Sequence, residues 1–258
     1  MRLVIKVGSS TLTHKTGKIN LARFDSLCRV LGDLANAGHE VVLVSSGAIA
    51  MGVSKLRLNE RPSDIPTKQA AASVGQSELM YMYDKFFSEY GHTVAQILIT
   101  GDDFSHQDRL DNFKNTVNRL LTLSAIPIVN ENDTVSTDEI KVGDNDTLSA
   151  LVAINVSADL LVLLSDIDGL YTADPRKDEN AVLISRVTEL TEEVISLGGG
   201  AGSVVGTGGM KTKLIAANIV MNKGCRMVIT NGERPEDIYR IVNGEAVGTL
   251  FERKNNHA

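Results

Sequence analysis

The chain has 258 residues, enough for one large α/β domain or two small ones, and its 43% hydrophobic and 22% charged residues are the balance of an ordinary soluble globular protein. A formal charge of −6, from 26 basic and 32 acidic residues, excludes a general attraction to nucleic acid or to an anionic membrane. The apolar start Met1–Gly8 turns polar at once, so we expect no secretory signal and no membrane span, a cytoplasmic protein, and inert buried thiols at the lone cysteines Cys28 and Cys225.

The first predicted element is the apolar strand Leu3–Val7, closed by Gly8. Phe24, Leu27, Cys28, Leu31, Leu34 and Ala35 then share one helical face, with Gly38 as the expected C-terminal cap. Further strands are predicted at Val41–Ser45, Val94–Ile99, Ile126–Asn130, Leu160–Leu164 and Arg226–Thr230. Residues 52–68 carry Pro62, Pro66 and scattered charges, which predicts a projecting hairpin or loop. Helical spacing resumes at Leu79, Met82, Tyr83, Phe86 and Tyr90, returns at Leu110, Phe113, Val117, Leu120 and Leu121, and marks Thr147–Ile154 and Met210–Lys223. Residues 198–209 hold seven glycines in twelve positions, too many for regular structure.

This alternation of strand and helix is the pattern of an α/β protein, a three-layer αβα sandwich around a mainly parallel sheet. With no linker, internal repeat or low-complexity tract, we expect one domain over residues 1–258.

Ligands of such a sheet bind at the carboxyl ends of its strands. There the chain has Lys6-Val7-Gly8-Ser9-Ser10, Ser45-Ser46-Gly47-Ala48, Asn130-Glu131-Asn132-Asp133 and Ser165-Asp166-Ile167-Asp168-Gly169. Lys6 followed by Gly8 and two serines suits a phosphate, since glycine lets the backbone approach and serines add donors, although a solvated lysine at a strand end is the plainer alternative. Ser45–Ala48 leads from strand into helix and can offer N–H groups to an anion, or serve only as a serine cap. Gly143-Asp144-Asn145-Asp146 opens a helix with carboxylates and amides, where capping by Asp146 alone is the competing reading. Gly206–Lys213 is neither a Walker nor a Rossmann loop, yet it also opens a helix with a lysine at Lys213, and a flexible surface loop is its alternative.

Lysines beside acidic loops make a mixed-charge pocket suited to an amino acid and a phosphoryl group. His14, His39, His92, His106 and His257 all lie outside these loops, so neither histidine acid–base chemistry nor a zinc site is expected. A hydroxyl acceptor would benefit from a base. A carboxylate acceptor, with a pKa near about 4.3, is already ionised, so acyl-phosphate formation fits.

At these residues the sequence resembles the amino acid kinase family. The likeness runs through Ile5–Ser10, Val44–Ala50, Lys68-Gln69, Val74–Ser77, Ile128–Asp133, Ile140–Asp146, Gly169–Arg176, Gly206–Met210 with Thr212-Lys213, and Gly248–Phe251. It points to the branch that transfers the ATP γ-phosphoryl group to the side-chain carboxylate of L-glutamate, with Mg2+ on the phosphates, in the first step of proline synthesis. The resemblance implies that Lys6 and Lys213 contact the transferring group and that Asp146 holds them or the substrate. It implies that Ser46, Gly47, Asp133 and Asn145 bind the acceptor, and that Lys6, Ser165, Asp166, Thr207, Gly208, Gly209, Met210, Lys211, Thr212 and Lys213 bind the nucleotide. No protein side chain is assigned to the metal. The resemblance further implies a homo-oligomer, dimer or tetramer, feedback inhibition by proline and a reductase that consumes glutamyl phosphate. Many similar proteins carry an additional C-terminal domain of RNA-modifying-enzyme (PUA) type, which we do not expect here, since the sequence stops soon after Phe251. The alternatives are another member of the family, acting on N-acetylglutamate or aspartate, and a catalytically silent sensor.

Overall fold

The computed structural model describes residues 1–14, 16–136, 145–199 and 209–253. Eight strands form one sheet: β1 Arg2–Val7, β2 Glu40–Ser45, β3 Thr93–Ile99, β4 Ala125–Glu131, β5 Leu160–Ser165, β6 Arg186–Val187, β7 Arg226–Asn231 and β8 Thr249–Phe251. Their spatial order is β3-β4-β2-β1-β5-β7-β8-β6, with every pair parallel except β7 and β8. All six predicted strands are present, each extended by a residue or two. β6 and β8 escaped the sequence reading because two or three residues carry no periodicity. Gly248, at φ +67°, brings the chain against β7, where a side chain would meet the Ile229 carbonyl, and lets β8 run antiparallel.

The central strands are apolar almost end to end because both of their faces are covered. Leu3, Ile5 and Val7 of β1 point to one face, where Phe24, Leu27 and Leu31 of α2 (Leu21–Asn36) pack with Leu79, Tyr83 and Phe87 of α4 (Ile65–Glu89). Val4 points to the other, against Leu148 and Val152 of a helix at Asp146–Asn155 and Leu214 and Val220 of a helix at Met210–Met221. This period of two divides the core into the two layers of a sandwich. The Phe24 and Tyr83 rings lie 4.5 Å apart, and full burial of such a ring stabilises the fold by about 1.5–3 kcal/mol. Gly38 takes the left-handed conformation expected of the residue after α2. Cys28 and Cys225 are free and buried; burial pushes the Cys28 thiol far up and Cys225 to about 12, so neither is a thiolate at neutral pH.

Residues 52–68 form no hairpin, and the expected loop is confined to residues 56–64, which are irregular and mostly exposed. The short α1 (Ser9–Leu12) precedes α2, and α3 (Ala48–Lys55) runs into the doubtful stretch, with α4 beginning inside it at Ile65. Pro66 falls in the first turn of α4, where its missing N–H has no partner to lose, and Asp64 caps that turn by accepting from the Thr67 N–H at 2.9 Å. The other α-helices among the described residues are α5 (Gln107–Thr122), α6 (Asp146–Asn155), α7 (Glu192–Ser196), α8 (Met210–Met221) and α9 (Asp237–Val242), with a 3-10 helix at Gly101–Ser105. Among the described residues no helix is long and apolar enough to cross a membrane.

Candidate active site

β1 lies between β2 and β5, so Lys6 near its carboxyl end sits in the middle of the sheet. The first residue of α6 is Asp146, and Lys213 is in the first turn of α8. The three side chains meet: Lys6 Nζ lies 2.6 Å from Asp146 Oδ1 and Lys213 Nζ 3.0 Å from Asp146 Oδ2. Thr212 Oγ1 donates to the same Oδ2 at 3.1 Å. Asp146 is 0% exposed, Lys6 7% and Lys213 6%. Burial pushes the Asp146 carboxyl up, but the Lys6 and Lys213 ammonium groups overcome it and hold the group well below the usual carboxylate range. Lysines from opposite ends of the chain therefore share one carboxylate, and the three groups together carry one net positive charge.

On the β2 and β4 side, the Ser46 N–H donates to the Val7 carbonyl at 3.0 Å, which ties the β2 turn to the end of β1. Gly47 caps α3 at φ +114°, a conformation that favours glycine. Asn145 is fully buried, and its Nδ2 reaches Ser46 Oγ at 2.9 Å, Asn130 Oδ1 at 2.9 Å and the Ser45 carbonyl at 3.4 Å. Asp133 is buried beside Glu131; burial first, then the Glu131 carboxylate, pushes its pKa up to about 6. Asn145 Oδ1 and Asp133 Oδ1 are buried acceptors without a hydrogen-bond partner among the described residues. Two such oxygens suit an N–H donor, above all an ammonium group.

Ser165 ends β5, and its hydroxyl donates to Asp166 Oδ1 at 3.3 Å. Burial raises the Asp166 pKa and Arg176, at 2.8 Å, outweighs it, so the carboxyl stays below its ordinary value. Gly209 caps α8 without a side-chain bond, Met210 opens the helix, and Lys211 is exposed. Thr207 and Gly208 lie outside the described residues, as do Gly143 and Asp144. What brings Ser165 and Asp166 near the Asp146 cluster is the pairing of β5 with β1, Lys6 opposite Leu163.

The sequence reading gave Gln76 no task, yet Gln76 Oε1 accepts from Asn130 Nδ2 at 2.9 Å. Its signal was available: Gln76 is a polar residue four after buried Ala72 and three before buried Leu79, on the stripe that otherwise faces the core.

The family model described as "Amino acid kinase family" matches residues 1–231. The chain belongs to the amino acid kinase family. Within this family it is similar to the protein named glutamate 5-kinase from Clostridium acetobutylicum, 58% identical over 254 residues that cover 98% of this chain and 95% of that one. It is 56% identical to the glutamate 5-kinase of Carboxydothermus hydrogenoformans, covering 98% of this chain and 68% of the relative. Among solved structures, a uridylate kinase from Archaeoglobus fulgidus superposes with a TM-score of 0.61 at 20% identity over 97% of this chain and 99% of that one, which shows the amino acid kinase fold.

Proposed function

We propose that this kinase transfers the γ-phosphoryl group of ATP to the side-chain carboxylate of L-glutamate, forming L-glutamyl 5-phosphate, the first step of proline biosynthesis. The observation that carries the reading is the Lys6–Asp146–Lys213 cluster, two buried ammonium groups oriented by one carboxylate at the carboxyl edge of the sheet. Such a pair stabilises charge that develops on phosphoryl oxygens, while Asp146 fixes its geometry before the substrates arrive. A carboxylate acceptor needs no deprotonation, so the lysines and the positioning of the two substrates supply the catalysis.

Ser46, Gly47, Asp133 and Asn145 hold the amino acid, with the buried acceptors of Asp133 and Asn145 turned to its ammonium group. Ser165, Asp166 and the start of α8 hold the nucleotide. Magnesium is expected on the phosphates that Lys6 and Lys213 would hold, with no protein side chain assigned to it. When bound, the ion rides on the phosphates and neutralises part of their charge. The same reading makes the chain one cytoplasmic kinase domain that works as a homo-oligomer, is inhibited by proline and passes its labile acyl phosphate to a reductase. Proline is a zwitterion with an ammonium group, the feature that the acceptor pocket is suited to bind.

The test is turnover with ATP and magnesium over a panel of acceptors, with acyl phosphate trapped as hydroxamate. Product from glutamate and not from N-acetylglutamate or aspartate is expected. Turnover of another acceptor alone would reassign the substrate, and ATP binding without turnover of any would indicate a sensor.

A further inference from the structure

The segment Val74–Ser77 has no part in the reaction proposed above, but Gln76 is the third of four side-chain amides in a file that starts in the acceptor pocket. Asn145 Nδ2 donates to Asn130 Oδ1 at 2.9 Å, Asn130 Nδ2 to Gln76 Oε1 at 2.9 Å, and Gln76 Nε2 to Gln96 Oε1 at 3.1 Å. The backbone fixes the direction of this file. Asn130 Oδ1 also accepts from the Glu131 N–H at 2.9 Å, and an N–H can only donate, so the Asn130 oxygen must stay at that end and its NH2 must face Gln76. Likewise the Ser45 carbonyl, 3.4 Å from Asn145 Nδ2, can only accept. The NH2 of Asn145 is thus committed to the protein, and Oδ1 is left as the atom for a ligand.

We infer that Gln76 is a positioning residue of the acceptor pocket: it holds Asn130, and through Asn130 fixes Asn145 so that Oδ1 is presented to the N–H donor of the substrate. The inference rests on the reading of Asn145 as an acceptor-site residue. Asn130 is 2% exposed, so without the Gln76 oxygen its NH2 would be buried without a partner. Turning to find one would withdraw the oxygen from Asn145. The far end differs, because Gln96 is exposed and water can replace it.

Three variants separate this role from simple packing. Gln76→Leu removes the acceptor, Gln76→Asn moves it out of reach by one methylene should Q76L not fold, and Gln76→Glu keeps it, the exposed Gln96 amide turning to donate. We expect Q76L or Q76N to raise the KM for glutamate about tenfold, within what an unsatisfied buried amide costs, with the KM for ATP unchanged within about twofold and Q76E near wild type. In the ligand-free protein, the side-chain NH2 resonances of Asn130 and Asn145 should shift in Q76L or Q76N and stay in place in Q76E. Unmoved resonances would overturn the inference, as would moved resonances with a wild-type KM, or equal losses in all three variants. A wild-type enzyme inactive on glutamate would overturn the proposed substrate instead, and the amide resonances would still decide the role of Gln76.

Discussion

Asp146 gives one carboxylate oxygen to each lysine, Oδ1 to Lys6 at 2.6 Å and Oδ2 to Lys213 at 3.0 Å. With one oxygen facing each ammonium, the carboxylate acts as a spacer as well as a counter-charge. In the proposed reaction, removing either lysine would delete one side of the phosphoryl cradle. We expect Lys6→Ala and Lys213→Ala each to lower kcat by at least about 10²-fold, the scale for losing one charge-stabilising donor. Single-turnover measurements would check this, and near-normal kcat in either variant would remove that lysine from the chemistry.

Asp146→Asn leaves two buried ammonium groups without their shared anion, and loss of one partner from a buried pair costs about 3–5 kcal/mol of stability. The pH dependence follows from the direction of the shift. The folded carboxyl is held below its unfolded value near about 3.9, so the stabilisation is fully present above about pH 4 and is lost as the pH falls below that value. Urea unfolding from pH 7 to pH 3 should show a constant gap between wild type and Asp146→Asn down to about pH 4 and a narrowing gap below it, because the folded carboxyl stays ionised well below its unfolded value. Parallel profiles would mean that Asp146 is not the ionised partner.

Asp133 runs the other way. Its carboxyl is raised to about 6 when folded, so its contribution to the stability of the empty protein is present below about pH 4 and lost as the pH rises through about 6. A bound ammonium group favours the ionised form and opposes that loss. We therefore expect the KM for glutamate to rise as the pH drops from 7 to 5, while the KM for ATP stays level. In Asp133→Asn the glutamate KM should be high and flat over the same range; a slope as steep as wild type would place the titrating group elsewhere.

Much of this site was legible because strand ends in a parallel sheet are read directly from apolar runs. Leu3–Val7 alone places Lys6 at the carboxyl edge, and the glycines before Met210 mark a helix start that carries Lys213. That Asp146 holds these lysines or the substrate is what the resemblance implies, and the structure sets the Asp146 carboxylate between Lys6 and Lys213. What stayed hidden depends on packing between segments distant in sequence. Pro66 points to a hairpin or loop when read from sequence, since a proline in the first turn of a helix and one in a loop look alike until the Asp64 cap is seen. Gln76 stands out as a polar residue on a buried stripe, but its partner, Asn130, lies on another element, and no local pattern announces a hydrogen bond across 54 residues.

Gly75 links that hidden packing to the acceptor pocket. A Cβ built there would lie 1.7 Å from the Ala48 carbonyl oxygen, and one on Gly52 would lie 1.8 Å from that of Ala71, so α3 and α4 cross backbone against backbone. Ala48 is the first residue of α3, directly after Gly47, and Gln76 follows Gly75. Adding one methyl forces the helices apart, which moves the Gly47 turn and draws Gln76 from Asn130 together. Overpacking of this kind costs about 1–3 kcal/mol. We expect Gly75→Ala to lower the unfolding free energy by that amount and to raise the KM for glutamate more than the KM for ATP, because most of the residues proposed for the nucleotide stand at the end of β5 and the start of α8. Denaturant unfolding paired with steady-state kinetics measures both. A stability loss with neither KM changed would show that α4 yields without carrying the pocket with it.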